Sequence, residues 1–213
     1  MTTTNETLPT TFDFGAGLVA AHRHRNPNGS LGGWVADTAQ VFGKAQVSGE
    51  ARVFGGARVS GGAQVFGKAQ VFGEARVSGG AQVSGGARVF GKAQVFGEAL
   101  VSGSAWVFGK ARVFGGAQVS GEARVSGTAW VFGEARVVQV GPVGSRGAML
   151  TVYATKAGPR CTTGCFEDKT LAELLAACKD THGPKSPHTR NYKLLATVAF
   201  AFIKANAKKG ATR

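Results

Sequence analysis

"ARVFGGARVSGGAQVFGKAQVFGEARVSGG", residues 51–80, says one six-residue word five times: Ala, a polar residue, Val, Phe or Ser, Gly and a variable sixth letter. Outward from this stretch, Ala recurs at every sixth position from Ala39 to Ala135 without insertion or deletion. Val holds the third place from Val35 to Val137, "GWVADT" at 33–38 opens the series, and "GPVGSR" at 141–146 reads as a decaying last copy. A unit this short buries nothing alone, so the words must stack on one another as coils of a solenoid. Helix is excluded, because a 3.6 period would turn identical positions around the axis and each recurring Gly would cost about 1 kcal/mol. In an extended word Ala and Val fall on one side and the residue between them on the other. Ala and Val therefore face inward. The intervening Gln40, Gln46, Arg52 and Arg58 face water, since a narrow apolar interior could not hold them without partners.

The spacing from Val41 to Ala45 and from Val47 to Ala51, continued along residues 33–138, resembles the hexapeptide-repeat family. That resemblance implies a left-handed parallel β-helix with three words per triangular coil, about six coils here, and a trimer as the usual assembly. "HRHRNPNGSLGGWVADTA" at 22–39 is similar to the entry segments that lead into the first coil of such proteins. The organisation expected is an N-terminal segment and cap (1–32), the β-helix (33–140) and a C-terminal α+β domain (141–213).

The fourth letter alternates between Phe and Ser, which a close-packed interior would not tolerate, so it belongs outside or at a corner. Folded at 18 residues per coil, Phe54, Phe72, Phe90 and Phe108 form one column and Phe96, Phe114 and Phe132 end a second. Ser48, Ser84, Ser102 and Ser120 dominate the third. Rings about 4.8 Å apart would open an apolar stripe of several hundred Å², more than a lone soluble monomer leaves in water. These seven phenylalanines are accordingly expected at an interface, with a sister subunit or the C-terminal segment covering at least one column.

Beyond the repeats, "AMLTVYATKAGPRCTTGCFEDKT" predicts a strand over 150–155, a turn at 156–159 and a second strand through Cys165 and Phe166. Thr170 can cap a helix "LAELLAACKDTHG" that Gly183 closes, and a last helix runs from about Thr189 to Ala207. Its apolar surface, including Leu194, Val198 and Phe202, is wide enough for burial on two sides. Lys204, Lys208, Lys209 and Arg213 form a basic tip, either a solvated end or an anion-binding element. The stretch "GPVGSRGAMLTVYATKAGPRCTTGCF" resembles a small domain of phage-encoded proteins bearing hexapeptide repeats, which implies a viral origin.

The 213 residues carry a net charge of +13, of which +8 lies after residue 140. Such basicity suits an acidic protein surface or nucleic acid. No apolar run of about 18 residues predicts a membrane span, and "MTTTNETLPTTF" lacks the features of a secretory signal. The expected location is the host cytoplasm, or a virion. Three cysteines confined to the last quarter argue against a disulfide framework.

Acyltransferases of the hexapeptide-repeat family use a His held by a loop that interrupts a coil. Here all four histidines, His22, His24, His182 and His188, flank the rod, and the unbroken spacing leaves no loop. Cys161, Cys165, Cys178 and His182, with His188, could be gathered around a metal, but the spacing between Cys161 and Cys165 departs from the usual pattern and Cys165 and Cys178 fall on apolar-facing positions. A Cys165–His182 nucleophile pair lacks an orienting third group. Arg52, Arg88 and Arg124, and Arg58, Arg76 and Arg112, form outward ladders that could meet phosphates, although Glu50, Glu74, Glu98, Glu122 and Glu134 are interleaved. The reading that follows is a non-catalytic, oligomeric interaction protein that binds a host or virion protein and needs no cofactor. An acyltransferase is the alternative, and nucleic-acid association through the basic tail is third.

Overall fold

The computed structural model describes residues 10–127, 129–132, 137–155 and 157–207. An N-terminal antiparallel hairpin, β1 (Thr11–Asp13) and β2 (Leu18–Arg25), leads into β3 (Leu31–Ala36), the first strand of the rod. Sixteen short strands follow, from β4 (Gln40–Val41) to β19 (Trp130–Phe132). They lie in three parallel sheets whose partners are 18 residues apart, as in Val53 with Val71, Val59 with Val77 and Val65 with Val83. The three-sided column read from the sequence is thus the fold.

Every Ala and Val of the words from Ala51 to Val131 is fully buried, with 0 % exposure. Each buried Val contributes about 1.5 kcal/mol or more. The backbone joins the turns: Arg52 N–H donates to the Ala69 carbonyl at 2.9 Å, Phe54 to Val71 at 3.0 Å and Lys68 to Gly85 at 2.8 Å. At the corners from Gly43 to Gly127 the fifth letter takes a positive φ and the sixth does not, the pattern of a type II′ turn. Gly61, at φ +68°, also lies so near the turn below that a Cβ would sit 3.1 Å from Gly79 N and 3.2 Å from its carbonyl oxygen.

The third sheet holds five strands, so the described rod makes five complete turns plus two strands, where the sequence suggests six coils. The reason lies at the exit. Val137 still packs on the core, but β20 (Val138–Val143) leaves to pair antiparallel with β21 (Ala148–Thr155).

Both ends of the column are closed by side chains that replace a missing turn. At the start, buried Asn26 accepts the Val47 N–H through Oδ1 at 2.9 Å. At the finish, Gln139 Oε1 accepts from Glu122 N–H at 3.3 Å, and Tyr153 of β21 is fully buried in the rod's own core. The Tyr153 hydroxyl meets Thr162 Oγ1 at 3.1 Å, which in turn meets Ser126 Oγ at 3.2 Å.

The C-terminal domain is a four-stranded antiparallel sheet, β20, β21, β22 (Gly158–Thr163) and β23 (Phe166–Lys169), with two helices. This exceeds the expected hairpin. The second strand stops at Thr163, so Cys165 lies in the turn and is exposed instead of facing the core. Helix α1 (Leu171–His182) carries the expected cap, with Thr170 Oγ1 accepting from Glu173 N–H while Glu173 accepts from Thr170 N–H. Helix α2 (Pro187–Ala207) buries Tyr192, Ala196, Ala199, Phe200 and Ile203. On its other face Leu194 and Val198 are 66 % and 63 % exposed, so among the described residues this part of the apolar surface stays at the surface. No helix among the described residues is long and apolar enough to cross a membrane.

The Gly61–Gly62 pair offers a test of the corner geometry. Gly61→Ala is expected to destabilise the protein by about 1–2 kcal/mol or more, since it combines a left-handed φ with a close approach. Gly62, whose φ is ordinary and whose added Cβ would have 3.5 Å of room, should accept Ala with no loss or with a gain of up to about 1 kcal/mol. Urea unfolding midpoints compare the two.

Candidate functional site

Two outward faces of the rod combine aromatic rings with arginine. One presents Trp34, Arg52, Gln70, Arg88, Trp106 and Arg124 in succession, and the second Gln40, Arg58, Arg76, Gln94, Arg112 and Trp130. The third carries Gln46, Gln64, Gln82, Leu100 and Gln118 and no charge. The phenylalanines stand where each strand enters its corner. Phe54, Phe72, Phe90 and Phe108 are stacked at 4.8, 4.9 and 5.0 Å, nearly parallel, and Phe96, Phe114 and Phe132 follow at 4.9 and 5.6 Å. All seven remain half-buried.

The first column is longer than the repeat foretells. Phe14 of the N-terminal hairpin stacks on Phe54 at 4.8 Å, and Phe12 stacks on Trp34 at 4.5 Å. Neither falls in the six-residue register, so only the hairpin's fold places them. The arginines lie over rings: Arg124 is 4.5 Å and Arg88 5.2 Å from the Trp106 centroid, and Arg112 is 4.8 Å from that of Trp130. Glu74 and Glu98 stand on corners, not on these faces, and Glu74 pairs with Lys92 at 3.7 Å in the open. That exposed pair adds at most about 1 kcal/mol. The interleaving read from the sequence therefore separates in space, leaving the two arginine-bearing strand faces positive.

In the C-terminal domain, Cys165, Cys178 and His182 line one cavity of about 230 Å³, while Cys161 is buried in the adjoining core. They do not make a metal centre: among the described residues no three His, Cys, Asp or Glu side chains are grouped to hold an ion. Burial pushes the Cys161 thiol up to about 12, and raises that of Cys178 as well, so both stay protonated at neutral pH. His182 and His188 approach each other with ring centroids 5.1 Å apart. Lys204 is exposed on the last turn of α2; Lys208, Lys209 and Arg213 lie outside the described residues.

A third arrangement is at the rod's entrance. His22 Nδ1 lies 3.0 Å from Asp37 Oδ1, and both His22 and His24 line an open hollow of about 330 Å³ with Gln40, Val41 and Phe42. Partial burial lowers the pKa of His24, opposed by a hydrogen bond to the Ala45 carbonyl. The sequence shows both histidines, but Asp37 enters the pair only through the antiparallel match of His22 with Val35.

Two measurements check the cysteine environments. In the native protein at pH 8 one thiol of three is expected to react rapidly with a maleimide, and Cys165→Ser should abolish that phase. The raised Cys161 pKa favours the folded state fully below the ordinary value of 9.0, and this contribution is lost as pH rises toward about 12. The melting temperature should thus fall along an alkaline limb that Cys161→Ala flattens.

The family model described as "YdcK Beta solenoid repeat" matches residues 45–61, 69–85 and 93–109, all within the rod. Comparison with curated proteins and with solved structures gives no match.

Proposed function

We propose that this protein is an oligomeric, non-catalytic interaction scaffold whose rod binds an acidic protein surface through its two phenylalanine columns and the arginines beside them. One observation carries the reading: the columns stay half-open to solvent after stacking within the chain, and each borders an arginine ladder. Aromatic rings and Arg are the residues that dominate protein interfaces, and a positive surface steers an acidic partner. Copies of the chain would repel one another along such faces. Their association is assigned instead to the exposed Leu194 and Val198 of α2, with a trimer as first expectation. A virion component or an inhibitor of a host protein would use a rod in this way, and the resemblance of residues 141–166 to phage domains supports such an origin.

The two parts separate experimentally. Light scattering should give a mass that is a multiple of 21.9 kDa, reduced to one chain by Leu194→Lys with Val198→Lys. A monomeric wild type removes the oligomer. Phe72→Ser with Phe90→Ser should leave that mass and the fold intact, because serine fills the same place in other words, yet abolish capture of an acidic protein from host lysate. Capture that survives the double change, or that duplex DNA fully competes away, overturns the partner assignment.

A second reading, acyl transfer, is favoured by the His22–Asp37 pair, since an imidazole oriented by a carboxylate is the usual form of a general base. Calorimetry with acetyl-CoA tests it: saturable heat that His22→Ala diminishes supports catalysis, and no heat leaves the scaffold reading alone.

A further inference from the structure

The cavity of the C-terminal domain lies between the β22–β23 turn, α1 and the first turns of α2, away from the rod faces. Phe166, Leu174 and Tyr192 give it an apolar wall. Thr163, another lining residue, is only 2 % exposed, and its Oγ1 has no hydrogen-bond partner. Buried hydroxyls are almost always paired, so an unpaired one beside an open space points to a polar atom supplied from outside. Exposed Arg146 also lines the cavity, which contains no carboxylate among its lining residues. A volume of about 230 Å³ is below the roughly 300–1,000 Å³ of pockets for drug-sized molecules, which limits the occupant to about one ring.

We infer that this cavity binds a small hydroxylated aromatic acid. The ring lies against the apolar wall, its hydroxyl pairs with Thr163 Oγ1 at the buried end, and its carboxylate meets the Arg146 guanidinium at the rim. The assignment does not depend on the scaffold reading, because none of these residues belongs to the rod.

The probe is 4-hydroxybenzoate with the full-length protein, compared with benzoate, which lacks the hydroxyl, and 4-hydroxybenzamide, which lacks the charge. Exposed Cys165, on the same lining, gives a local readout. Saturating 4-hydroxybenzoate should slow Cys165 alkylation several-fold. Benzoate and the amide should each bind about tenfold more weakly, because each leaves one protein group unpaired. Thr163→Val should bring 4-hydroxybenzoate down to the affinity of benzoate, and Arg146→Gln down to that of the amide. The inference is overturned if the probe gives Cys165 no protection, or if its affinity is the same in wild type and both variants. Should Thr163→Val fail to fold, the exposed Arg146→Gln decides the question.

Discussion

Each turn of the rod hands its backbone N–H groups to the carbonyls of the turn below, at 2.7–3.0 Å for residues as far apart in the column as Arg52 and Lys110. That ladder fixes the spacing of everything else. With turns this close, the interior of a three-sided column is filled by one Val and one Ala per side, and a larger inner residue would have to push the walls apart. The same spacing brings corner to corner, which is why the fifth letter is glycine: a side chain at Gly103 would stand 2.9 Å from both the N and O of Gly121. The word admits variation only where the ladder makes no demand, at the outward second, fourth and sixth letters.

Strict periodicity on the outside turns chemistry into stripes. A single exposed Phe is unremarkable on a protein surface, but Phe at one letter of every third word becomes a column with rings 4.8–5.0 Å apart. Arg88, Arg112 and Arg124 join the same surface by lying over rings, while the corner Glu74 pairs with Lys92. A rod of this kind has a rigid face whose pattern is set by which outer letter each word uses.

A ladder has two ends, and each leaves backbone groups without a partner. Asn26 and Gln139 answer with side-chain oxygens placed where the next carbonyl would be, and Tyr153 fills the exit of the column. The C-terminal domain is therefore more than an appendage, since one of its strands supplies the plug and its hydroxyl network reaches Ser126 in the last turn. The cavity beside α1 is built on the far side of that network, by elements whose first task is to close the rod.

The word from Ala51 to Gly80 determined by itself the three-sided column, the inward Ala and Val, the outward Gln and Arg and the stacked phenylalanines, because an 18-residue coil maps sequence position directly onto height and face. Thr170 and Gly183 likewise marked the ends of α1, since caps are local chemistry. Only the tertiary structure decided that the last word leaves the rod, that Cys165 turns outward where β22 stops, and that Leu194 and Val198 of α2 stay exposed. It alone joined Phe14 to the aromatic column, Asp37 to His22 and Thr163 to Arg146 across one cavity. These last are contacts between segments without a shared period, and their geometry depends on how non-repeating chain packs against the repeat.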